Sequence, residues 1–193
     1  MDSDLNEQTD NTPDSASEIP VVTDQQDDFA LETEGQIVDA IESLNNIPEI
    51  QPDSWENLDV SERLASLQAV EGSMAEIQGR PSVPVIPVDL PPDQYGGWDG
   101  EAITINANHL AGDKPVSENV DTIVHEGRHA YQSYAISHPE IVSDPAVVDA
   151  WRENMEPGNY IDPSLDPEGY VNQPVEADAW GYAAAIQDGV YGK

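Results

Sequence analysis

Cysteine is absent from this 193-residue chain. A disulfide framework, a thiolate zinc site and a cysteine nucleophile are therefore excluded, and any metal has to be held by histidine and carboxylate. Basic residues are scarce: six Lys and Arg stand against 39 Asp and Glu, for a net charge of −33. Phosphate backbones and anionic membrane surfaces are recognised through Lys and Arg, so neither nucleic acid nor membrane is expected as a partner. Long hydrophobic runs are missing too, since no stretch approaches the roughly 18 apolar residues of a spanning helix. Met1 to Asp10 carry acid where a signal peptide carries base, and no apolar region follows them. The expected location is the cytoplasm, or the outside by a leaderless route.

The charge is unevenly spread. Of the 39 acids, 17 lie in residues 1–60, and no base precedes Arg63. Residues 1–33 read as an acidic disordered tail, too poor in apolar surface to offset the entropy of ordering. Its acidity serves solubility or a salty medium, or attracts a basic protein partner or mimics DNA. Residues 34–53 read as a short helix and linker, because Ile37, Ala40, Ile41 and Leu44 fall at helical spacing before Pro48 and Pro52. Residues 54–193 hold the domain that carries the chemistry.

Within that domain, Asp59 or Ser61 opens a helix to about Gln78, with Leu64, Leu67, Gln68, Glu71, Met74 and Ile77 on one face and Gly79 behind it. The five prolines between Pro81 and Pro92 restrict that stretch to an extended edge. Ala102–Asn106 is the clearest strand. Ser117 is a candidate N-cap for a helix running to about Ser137. Asp144 and Pro145 start a helix through Trp151, and Pro174 starts a last one to about Asp188, stopped by Gly189.

The Ser117–Ser137 helix carries His125-Glu126-Gly-Arg-His129. Four residues are about one helical turn, so the two imidazoles share a face and can converge on one ion, while Glu126 sits beside that face. A bound zinc lowers the pKa of water, and Glu126 is the natural base for it. The pattern needs a third ligand. The candidates are His109, His138 and the carboxylates. Glu176 is the best placed, near the N-terminus of the Pro174 helix, where a carboxylate is favoured by the dipole and can face a neighbouring helix. Asp178 points to another side and either supports a ligating imidazole or is itself the ligand. Arg128 cannot bind zinc and is expected to pair with an acid. Tyr160 and Tyr170 precede Glu176, and either phenol can donate to an oxyanion; Tyr170 is the preferred donor.

These segments, with the strand Ile103–Asn106, the motif from Asp121 to Gln132 and Tyr170-Val-Asn-Gln-Pro-Val-Glu176-Ala-Asp178-Ala, resemble the compact bacterial gluzincin-like metallopeptidase domains, including those of polymorphic toxin and effector proteins. The helix from Trp55 to Arg80 is similar to one that precedes such domains. The resemblance spans residues 54–188. It implies His125, His129 and Glu176 as zinc ligands, Glu126 as base, and a peptide or protein as substrate. Where thermolysin-like members carry an aspartate that supports a histidine, this chain has Trp180, so Asp178 or Asp121 is expected to substitute. The expected fold is α+β and zincin-like, with a small, partly antiparallel sheet, an active-site helix and a second helix supplying the third ligand. Ala102–Asn106 would be the edge strand that receives an extended peptide. The competing reading is a non-catalytic acidic binding protein that keeps a metallopeptidase fold and binds a basic partner.

Overall fold

The computed structural model describes residues 24–192 and shows a mixed α+β chain. In chain order the elements are α1 (Asp24–Asn45), α2 (Pro52–Trp55), α3 (Val60–Ile77), β1 (Val85–Val88), β2 (Gly96–Trp98), β3 (Ile103–Asn106), α4 (Val116–Ser137), α5 (Pro145–Asn154), α6 (Pro167–Asn172) and α7 (Pro174–Tyr191). Among the described residues no helix is long and apolar enough to cross a membrane. The acidic segment before residue 24 lies outside the described residues.

α4 is the central element, packed against α3, α7 and the sheet. Its inner stripe, Val116, Val120, Ile123 and Val124, meets Leu44 and Ile50 from the N-terminal part, Leu67 and Met74 of α3, Ile103 and Ile105 of β3, and Ile186 of α7. A smaller apolar cluster lies toward the C-terminal end of α4, where Tyr131 and Ala135 pack with Val148 and Trp151 of α5 and Val175 of α7. Burying these side chains is the main favourable term in the fold.

α3 begins as its sequence predicts. Asp59 accepts from the Glu62 amide and Glu62 reaches back to the Asp59 amide, a capping box that satisfies two orphan donors. Its polar inner residues pin the sheet edge. Gln68 accepts from the Val85 amide at 2.9 Å and donates to the Val83 carbonyl at 2.9 Å, while Glu71 accepts from the Val83 amide at 3.1 Å and pairs with buried Arg80 at 2.7 Å. Asp144 caps α5 by accepting from the Ala146 amide, with Pro145 following it as expected.

Four expectations need correction. The first helix starts at Asp24, not Glu34, because tertiary contacts order its acidic beginning. Phe29 packs edge-on to Trp151 at 5.9 Å, and Glu32 accepts from the Tyr131 hydroxyl and the Ser143 amide. The residue before α4 is Pro115, and no side chain caps that helix, so Ser117 lies inside it. Gly189 does not stop α7. A Cβ there would collide with Ile41, so this glycine lets α1 and α7 approach closely, and the helix ends at Gly192, whose φ of 67° suits glycine. Finally, Ala102–Asn106 is not an edge: the strand order is β1-β3-β2, with β3 parallel to β1 and antiparallel to β2. β2 borders α4 instead. Gly96 makes this possible, since a Cβ would strike both the Thr104 carbonyl oxygen and the Thr122 methyl group on α4.

Arg128 is fully buried and holds α1, α4 and α7 together. Its guanidinium donates two parallel bonds of 2.9 Å to Asp178 and one of 2.9 Å to Gln36, and lies over the Tyr131 and Tyr182 rings at 4.6 and 4.4 Å. A planar bidentate pair of this kind is specific to arginine. Arg128→Met strands the Asp178 carboxylate and is expected to destabilise the fold by about 3–5 kcal/mol. Urea unfolding, read as a lower midpoint with unchanged slope, checks this.

Candidate metal centre

His125 and His129 lie one turn apart on α4, as the motif spacing requires. Their Nε2 atoms are 3.1 Å apart, with the rings nearly perpendicular at 84°. Glu176, on the first turn of α7, completes a triangle: its Oε2 is 3.4 Å from His125 Nε2 and its Oε1 is 3.4 Å from His129 Nε2. Ligands of a tetrahedral zinc, at their usual bond lengths, stand about 3.3 Å from one another. These three residues form the group among the described residues that could hold a metal ion. His109 and His138 stand apart from it. The His109 ring bonds the Pro92 carbonyl, and the His138 ring stacks on Tyr134 at 4.0 Å.

The position of Glu176 is built from both sides. Asn154, at the end of α5, accepts from the Val175 amide at 3.2 Å, and Gln132 donates to the Val175 carbonyl at 2.9 Å. The Tyr160 hydroxyl donates to Glu176 Oε1 at 2.6 Å, yet Oε2 is buried without a hydrogen-bond partner. Leaving a buried carboxylate oxygen unpartnered is costly, and a cation among these ligands removes the cost. Burial raises the Glu176 carboxyl, but the facing imidazoles of His125 and His129 and the Tyr160 hydroxyl outweigh it and hold the group well below the usual carboxylate range. The donor set of two imidazoles and one carboxylate, with no thiolate, therefore fits a divalent ion of borderline hardness.

Asp178 does not touch an imidazole. It accepts from Gln132 at 2.7 Å, and Gln132 Oε1 faces His129 Nδ1 at 2.9 Å. Orientation thus passes from Arg128 and Asp178 through Gln132 to His129, with the His129 Nδ1–H donating. This amends the expectation that Asp178 supports a histidine directly, and Gln132 is the residue it lacked. The signal was present: Gln132 follows His129 by three residues and so shares its face. Asp121 is not the partner of His125 Nδ1, which has no hydrogen bond; it borders the cleft outside. Trp180, at the position where the resembling family carries a supporting aspartate, packs its ring 4.3 Å from that of His125. His125 thus has an aromatic ring beside it and no hydrogen bond at Nδ1.

Glu126 is half-buried beside the triangle and lines the same cavity as Trp98 of β2. Burial pushes its carboxyl above the ordinary value, against the pull of the two histidines. Tyr170 forms part of the cleft wall, its ring edge-on to Tyr160 at 6.2 Å. The site is open to solvent through two cavities of about 740 and 360 Å³, which share Gly96, His125, Glu126 and Tyr170.

Burial lowers the His129 imidazole, but the carboxylates of Glu176 and Glu126 outweigh it and raise its pKa above the ordinary 6.5. Before a metal binds, that pairing stabilises the fold below the ordinary value and is lost as the pH rises through the raised one. Metal binding has the opposite slope, because the ion and the proton compete for the same nitrogen. Affinity for zinc is expected to rise as the pH climbs from the ordinary histidine value through the raised one, with release of a proton, as calorimetry in buffers of different ionisation enthalpy would detect.

No family model, no curated protein and no solved structure matches the chain.

Proposed function

We propose that the chain is a zinc-dependent hydrolase of zincin-like fold, most specifically a metallopeptidase. One observation carries this reading: a carboxylate that is not a ligand, Glu126, stands beside three convergent ligand atoms in an open cleft. Three protein ligands leave a fourth position for water or substrate, the mark of a catalytic rather than a structural zinc site. Zinc held by His125, His129 and Glu176 supplies Lewis acidity toward a substrate carbonyl and acidifies water.

The protein's own residues do the rest. Glu126 accepts the proton of the attacking water and returns it to the leaving amine, as a carboxylate beside the ligand triangle is placed to do. Tyr160 fixes Glu176 by its short hydrogen bond, which leaves Tyr170 as the phenol to donate to a developing oxyanion. β2, the edge strand beside the cleft, offers backbone groups to an extended peptide, a binding mode that suits a peptide substrate better than a compact ester.

The test is digestion of a peptide library and an ester panel by the zinc-loaded chain. Peptide cleavage that stops on chelation and returns with zinc is expected. Bound zinc with no peptide cleaved defeats the reading.

A further inference from the structure

The two cavities that meet at His125 and Glu126 differ in character. The smaller one runs past Trp98, Met155, Tyr160 and Val175, with Ser133 beside Trp98, and beyond Glu126 and Glu176 of the centre itself it holds no carboxylate. The larger one, on the other side of His125, is walled by Tyr95 and Trp180 and carries Asp93, Glu118 and Asp121. It adjoins the centre through His125, which lines it and whose buried Nδ1 has no hydrogen-bond partner.

Glu118 and Asp121 occupy the same stripe of α4 as His125. With a rise of 1.5 Å per residue, they stand roughly 10 and 6 Å along the helix from that ligand. Those distances are within reach of a long side chain that leaves a substrate backbone lying over the centre. Glu118 is half-buried and, like exposed Asp93, has no ion pair among the described residues. Trp180 is 41% exposed and lines the same space. Carboxylates that ring an aromatic wall recognise a cation, through charge and through the quadrupole of the ring. Lys114 donates to the Tyr95 hydroxyl at 2.7 Å and lies over the Tyr95 ring at 4.8 Å, which leaves Trp180 as the aromatic wall for a substrate cation; Lys114 also lines a different cavity with Trp55 and Arg63.

We infer that this half of the cleft is a specificity pocket for a lysine or arginine side chain, so that the substrate carries a base on one side of the cleaved bond and an apolar residue on the other. The inference rests on the metallopeptidase reading and names its substrate class. The surplus of 33 negative charges acts in the same direction, drawing cationic peptides toward the chain at low salt.

A peptide library cleaved by the zinc-loaded full chain tests it. Lysine and arginine are expected at a fixed position on one side of the cut, and aspartate and glutamate excluded there. Glu118→Gln should lower the ratio of cleavage rates for basic over neutral peptides by about five-fold, the worth of one partly exposed charge pair. Asp93→Asn, on an exposed loop where folding is not at stake, should lower it less, and Glu118→Lys should turn the preference toward acid. Peptides cut without regard to charge overturn the inference and leave the metallopeptidase reading standing. If nothing is cut, binding decides: a lysine-containing peptide titrated into zinc-loaded Glu126→Gln should bind, and more weakly when Glu118→Gln is added. Failure to bind, or equal binding in both, overturns the inference.

Discussion

Glu126→Gln is expected to keep its zinc and lose hydrolysis. The glutamine is isosteric and replaces none of the three ligands, so the fold and the ligand triangle stay in place. It cannot take a proton. Removal of a general base that acts in both halves of the reaction costs roughly 100- to 10,000-fold in rate. Elemental analysis of the variant beside its kcat on the best library peptide gives both readings from one preparation. A binding protein that merely kept the fold would show no activity to lose and would keep its partner affinity through the substitution.

Glu176→Ala is expected to abolish tight zinc binding. The substitution takes away the only charged ligand, leaving two neutral imidazoles on one helix. Its effect should exceed the roughly 10- to 100-fold loss of affinity that follows removal of a residue supporting a ligand. Thermal unfolding reads it independently. A ligand present at 100 times its Kd stabilises the native state by about 2.7 kcal/mol, so zinc should raise the Tm of the natural chain and leave that of the variant unmoved. Glu176→Gln separates charge from shape: it retains the bulk on the first turn of α7 but gives up the carboxylate that both histidines face. An undiminished zinc content in either variant would require a different ligand set.

What was legible in the sequence was what local periodicity governs. Two histidines four residues apart, inside a helical pattern, fall on one face whatever the helix packs against. The capping box of α3, the proline starts of α5 and α7, and the edge character of the proline-rich β1 are likewise decided within a few residues. Glu176 was legible in kind, as a carboxylate on the first turn of a helix, though its distance in sequence from His129 gave no proof that the two would meet.

The residues misread are those whose role depends on a neighbour far along the chain. The start of α1 has the composition of a tail and becomes a helix because Phe29 and Glu32 find Trp151, Tyr131 and Ser143. Gly189 has the composition of a stop and serves as a contact with Ile41. Ala102–Asn106 has the β-branched character of any buried strand. Its central position follows from pairing with β1 on one side and β2 on the other, which hydrogen bonding across the sheet decides. The same holds for Asp178, which lies 50 residues from Arg128 and reaches His129 only through Gln132.

The sequence by itself determined the chemical repertoire: imidazole and carboxylate without thiol, a helix that aligns two of the ligands, and a strongly negative surface. Only the tertiary structure decided which carboxylate closes the triangle, which strand borders the cleft, and which acids line it. The physical reason is range. Backbone geometry fixes the relation of residues a turn apart, whereas the approach of α7 to α4 depends on burying apolar surface from the whole chain at once.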